Sequence, residues 1–144
     1  DRPWAIDRLG PLRIEQGAYI WRDLLNAGVI VASGTDAPVE PVDPIANFYA
    51  AVTRKTLKGT PQTGFEPAQR LTRMEALHAM TLAAAYAAFE EQDKGSIEVG
   101  KLADLTVLNR DLITVPEPEI LNSEVLMTIV GGEVVYQRDE AGHP

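Results

Sequence analysis

Residues 29–32 read Val-Ile-Val-Ala, an apolar and mostly β-branched run set between Gly28 and Gly34. Side chains alternate between the two faces of a strand, so a run without polar alternation needs apolar cover on both faces. That requirement points to a parallel, helix-covered sheet. The preceding residues agree, because Ile14, Ala18, Trp21, Leu24 and Leu25 recur at helical spacing over residues 14–26. Gly28 then stands where a helix C-terminus accepts a left-handed residue. A helix feeding directly into a doubly buried strand is the αβ half of an α/β fold. One strand cannot pair its own backbone groups, so either neighbours lie upstream in a longer chain or the strand is weakly satisfied.

Asp36 follows this run at its C-terminal end, where open α/β sheets and (β/α)8 barrels carry their active-site residues. Pro38, Pro41 and Pro44 stiffen the loop around it, which holds a carboxylate at low entropic cost. Such a group suits a metal ligand or a general base. Taken alone, an acid just past a strand is more simply a turn or cap residue. Glu40 offers a second carboxylate in the loop and reads first as solvated, while Asp43 with Pro44 makes an N-cap and first-turn pair.

Downstream of the cap, Ile45, Phe48, Tyr49 and Val52 fall at i, i+3, i+4 and i+7, predicting a helix to about Leu57. Gly59, Pro61, Gly64 and Pro67 mark a loop. Thr72 and Glu75 form a capping box, and Met74, Leu77, Thr81, Ala84, Ala85 and Ala88 continue one helical face toward Phe89. From Gly95 onward the chain turns β-rich, with strands predicted over residues 103–108, 125–130 and 133–137 and Gly131-Gly132 as a tight hairpin turn. Two pieces result: an α/β part over residues 1–92 and a β part over residues 93–144.

Composition narrows the function classes. With 45% hydrophobic and 24% charged residues the chain is an ordinary globular protein. Its net charge of -8 and lack of any basic cluster argue against a nucleic-acid partner. No apolar run approaches the roughly 18 residues of a membrane-spanning helix, so no membrane role is expected. The absence of cysteine removes disulfides, thiolate nucleophiles and Cys-based zinc sites. With no signal peptide visible at Asp1, it also makes the cytoplasm the default location. The chain does not begin with Met, and its start reads as an interior cut.

Other candidates are weaker. His78 sits on or beside the apolar face of the third helix and reads as a half-buried structural residue, since no second ligand stands four residues away. His143 lies near the terminus, and neither histidine forms an HxH or HExxH pair. Arg54 and Lys55 could reach an anionic group or simply form a solvated helix end. Ser33, Ser96 and Ser123 lack a GxSxG setting and a base partner, which excludes a Ser-His-Asp site.

Four motifs in order, SGTDAPVEPVDP, LTRMEALHAMTLAAAYAAFEE, KGSIEVGKLADLTVLNRD and TIVGGEVVYQR, resemble the C-terminal portion of the amidohydrolase superfamily. The branch they resemble is that of the metal-dependent TIM-barrel hydrolases related to N-substituted formamide deformylase. The resemblance covers about residues 8–138. It implies the last strand and helices of a (β/α)8 TIM barrel over residues 1–92, followed by strands of a composite β-sandwich. It implies one or two divalent metals, zinc by family habit, and a small-molecule substrate with a non-peptide C–N bond. Asp36 then corresponds to the aspartate after the eighth barrel strand, a metal ligand that takes a proton from the attacking water and returns it to the leaving nitrogen. Lys101, Asp104 and the glycines of the β tail are implied to be structural. The family's HxH, its bridging lysine and its later histidines have no counterpart here. The chain alone is therefore expected to bind no metal tightly and to turn nothing over. A competing expectation is an inert truncated fragment whose open strand edges make it an association module, pairing with itself or with a missing N-terminal part.

Overall fold

The computed structural model of the chain describes residues 2–139. Helices α1 (Arg2–Leu9), α2 (Pro11–Gly17), α3 (Trp21–Asn26), α4 (Pro44–Thr53), α5 (Arg73–Met80) and α6 (Leu82–Ala87) make up the first part. Strands β1 (Leu105–Leu108), β2 (Val125–Val130) and β3 (Glu133–Gln137) follow, with a 3-10 helix over Glu117–Asn122 between β1 and β2. None of the described helices is long and apolar enough to cross a membrane.

Local chemistry sets both ends of α4 and the start of α5. The Asp43 carboxylate accepts the Ile45 N–H at 2.9 Å and Pro44 opens α4. The helix stops at Thr53, short of Leu57, because Arg54 turns left-handed at φ 60. Thr72 and Glu75 close the capping box of α5 as read from the sequence. Two predicted helices are each broken once. Ala18 (φ -106, ψ 135) and Tyr19 (φ 58) separate α2 from α3, and Thr81 (φ -121, ψ -91) separates α5 from α6. The buried face of the latter pair is also rotated from the predicted one. Ala76, Ala79, Ala83 and Ala85 are buried whereas Met74 is 60% exposed, since small side chains let neighbouring chain pack against the helix. Gly95 shows how close that approach is: a Cβ there would lie 2.8 Å from Ala85 Cβ, at a φ of +90.

The core joins both parts of the chain. Ile45, Phe48 and Tyr49 of α4 pack with Leu71, Ala76 of α5, Leu112 and Ile120. Leu112 and Ile120 belong to the excursion between β1 and β2, which returns to cover α4. Phe48 and Ile120 are almost wholly buried, and each such side chain contributes roughly 1.5–3 kcal/mol of apolar transfer.

The sheet is antiparallel in the order β1-β2-β3. Val130 pairs with Glu133, leaving Gly131 (φ 58) and Gly132 (φ 86) as the two-residue turn, both left-handed as that turn demands. Asp104 Oδ1 accepts the Gly131 N–H at 2.7 Å, and Lys101 Nζ donates to the Glu91 carbonyl and to Ser96 Oγ, each at 2.6 Å. Both residues thus have the structural roles expected of them.

The strand expected at residues 29–32 does not form. No strand partner lies beside it among the described residues, and Val29 and Ile30 are 46% and 50% exposed. Its composition asks for a neighbour on each edge and apolar cover on each face, and the described residues supply neither. The observed sheet is the antiparallel one at the C-terminal end, and no parallel sheet is present among the described residues. The Ser33 N–H, bonded to the Ala79 carbonyl at 2.9 Å, ties the segment to α5.

Candidate active site

Asp36 is exposed and left-handed, with φ 59, a conformation that aspartate tolerates better than most residues. Its carbonyl accepts the N–H groups of Val39 (2.9 Å) and Glu40 (3.4 Å), so its backbone heads a turn. No hydrogen bond or ion pair among the described residues engages its carboxylate. The turn reading therefore accounts for the backbone of Asp36 and leaves its side chain without a structural task. Glu40 is exposed, and Asp43 is spent on capping α4.

The segment that delivers Asp36 is held from two sides. Ser33 Oγ accepts from Asn47 Nδ2 on α4 at 2.9 Å, in addition to its backbone bond to α5. Val31, Ser33, Gly34 and Asn47 line one side of a cavity of about 400 Å³, whose other walls include Arg54 and Leu71. Asp36 itself lies outside that lining.

Arg54 corrects its sequence reading. It is 8% exposed rather than solvated, and its guanidinium donates to the carbonyls of Phe65 (2.9 Å) and Tyr19 (2.8 Å) and to Glu66 Oε2 (3.5 Å). Tyr19, Arg54 and Glu66 are all left-handed, so this hub holds three unfavourable backbone conformations together. Burial lowers the Arg54 pKa, opposed by the charge of Glu66. Glu66 is lowered in turn, first by its hydrogen bonds from Arg2. Lys55 is committed to Glu117. Little in the sequence pointed to the Arg54 hub. The Asn47–Ser33 bond had a faint signal, a polar residue inside an otherwise apolar helix.

His78 is exposed rather than half-buried, because Ala76 and Ala79 take the inner face of α5. His143 lies outside the described residues. Among the described residues, no three His, Asp or Glu side chains come together where they could hold a metal ion. Asp36 offers one free carboxylate, and one ligand does not make a site, so the described residues by themselves do not fit a bound metal.

Comparison with known proteins places the chain. The model of the amidohydrolase family matches residues 1–136, and the chain belongs to that family. It is 34% identical to YtcJ of Bacillus subtilis over 138 residues, 96% of this chain and 26% of that protein. It is 38% identical to the N-substituted formamide deformylase of Arthrobacter pascens over 117 residues, 81% of this chain and 21% of that enzyme. Among solved structures, an uncharacterized metal-dependent hydrolase from Pyrococcus horikoshii superposes with a TM-score of 0.68 at 32% identity, covering 79% of this chain and 23% of that one. The chain spans about a quarter of the length of the curated relatives it matches.

Proposed function

We propose that the chain is a C-terminal segment of a metal-dependent amidohydrolase that cleaves a non-peptide C–N bond, amide-like or cyclic, in a small molecule. The observation that carries this reading is the carboxylate of Asp36, exposed at the head of a turn that its backbone alone explains, within a segment the family model matches. The deformylase among the relatives supports amide-like substrates. In this reading residues 1–92 belong to a TIM-barrel domain and residues 93–144 to a β-sandwich, with the excursion through Leu112 and Ile120 fastening one to the other.

A divalent metal, zinc in this proposal, would polarise the substrate carbonyl and lower the pKa of water when bound. Its remaining ligands would come from outside this segment. Asp36 would contribute a ligand oxygen, hold the proton removed from water, and release it to the departing nitrogen. An exposed carboxylate with no competing partner among the described residues is free for each task. The test is elemental analysis of the complete hydrolase together with hydrolysis of N-substituted formamides before and after chelation. Stoichiometric metal and chelator-sensitive hydrolysis are expected; full hydrolysis by metal-free protein would overturn the proposal.

The exposure of Val29 and Ile30 on an unpaired segment favours a second reading, an inert association module that lacks turnover in any context. Hydrolysis by the complete chain excludes it.

A further inference from the structure

We propose that Asn47 is a positioning residue for Asp36 and acts through Ser33. The role of Asp36 itself rests on the function proposed above, while the clamp rests on geometry. The loop that carries Asp36 leaves residue 33 and re-enters helix at α4, and both of its ends are fastened to the same turn of that helix. At the trailing end, the Asp43 carboxylate accepts the Ile45 N–H at 2.9 Å. At the leading end, Asn47 Nδ2 donates to Ser33 Oγ at 2.9 Å. Asn47 is itself one turn into α4, its N–H bonded to the Asp43 carbonyl at 3.3 Å. The two fastenings therefore share one rigid body.

Between them the chain has little freedom. The Asp36 carbonyl closes a turn with Val39 and Glu40, and Pro38 and Pro41 fix two further φ angles. A third bond, Ser33 N–H to the Ala79 carbonyl, holds the same residue to α5. Asparagine is a poor choice for the inside of a helix on propensity alone, since its amide competes with the backbone. Here the amide is turned away from its own helix to a residue fourteen positions earlier. Without that bond the Ser33 side chain loses its hold on α4, and the segment leading to Asp36 keeps only the backbone bond to α5. Asn47 touches no reacting atom; it fixes where the carboxylate points.

Amide hydrogen exchange tests the clamp on this chain without metal or turnover. In Asn47→Ala and separately in Ser33→Ala, the Val39 and Glu40 amides should exchange about five- to tenfold faster, the worth of one neutral hydrogen bond. The double variant should add nothing, because both changes delete the same bond. The Ala76 and Ala85 amides of α5 and α6 should keep their rates. Unchanged Val39 and Glu40 exchange, additive effects in the double variant, or equal acceleration throughout α5 and α6 would overturn the clamp. In the complete hydrolase, Asn47→Ala should lower kcat by about the same factor and leave KM within about twofold, the signature of a misplaced reacting group. A normal kcat there would overturn the positioning role. If Asp36→Asn proved fully active, the reading of Asp36 would fail while the exchange result stood.

Discussion

Arg54 holds more of this chain in place than any sequence pattern suggests. Three segments remote in sequence meet at its guanidinium: the link at Tyr19, the end of α4, and the loop at Phe65 and Glu66. Arg54→Ala would strip two carbonyls of donors and leave Glu66 with Arg2 alone, so a loss of about 3 kcal/mol is expected in urea unfolding. Arg54→Lys should recover little, because an ammonium cannot fork to three acceptors in a plane. Gly64 lies beside the same hub at φ +78, where a Cβ would fall 2.2 Å from the Thr53 carbonyl. Gly64→Ala should therefore cost at least about 2 kcal/mol, read in the same unfolding assay. Glu75 gives a pH signature. Hydrogen bonds from Arg22, and then those from Thr72, pull its pKa to about 2 against burial. A carboxylate lowered on folding stabilises the fold above its unfolded pKa near 4.5 and loses that contribution as pH falls through about 2. Because the group is one-third exposed, the contribution is about 1 kcal/mol rather than the full linkage value. In Glu75→Gln this part of the acid dependence should vanish from melts taken between those pH values.

Among the elements, those set by neighbouring residues were legible and those set by distant ones were not. Asp43 with Pro44, the Thr72–Glu75 box and the Gly131-Gly132 turn appear where the sequence put them, because each depends on two to four adjacent residues. Asp43→Ala should cost about 1 kcal/mol as a lost cap, and would free the trailing end of the Asp36 loop as well. The breaks at Tyr19 and Thr81 carry no local signal; the Tyr19 carbonyl instead meets the guanidinium of Arg54, thirty-five residues away. The run at residues 29–32 is the opposite case. Its composition predicts a doubly covered strand, and none forms because the described residues supply neither a pairing edge nor apolar cover on both faces. The position of Asp36 after that run was legible, whereas the Asn47–Ser33 bond left only the faint trace of a polar residue inside an otherwise apolar helix.

The assembled chain leaves much apolar surface uncovered. Phe89, Ile97 and Val99 are 93%, 89% and 109% exposed, and a cleft of about 780 Å³ lined by Leu77, Met80, Leu105 and Leu108 separates helices from sheet. A family member that spans about a quarter of its relatives' length would be expected to expose faces that the rest of the fold covers. In isolation it should therefore bind a hydrophobic dye and associate as concentration rises in sedimentation runs; a dye-silent monomer at all concentrations would contradict this. Everything proposed about catalysis converges on a single oxygen pair, the exposed carboxylate of Asp36. The direct measurement is the hydrolysis rate of Asp36→Asn in the complete hydrolase, with folding checked by its melt. The account predicts a kcat lowered by at least about a hundredfold, the scale of a lost acid-base group, with the melt unchanged; a kcat equal to that of the unaltered enzyme would contradict it.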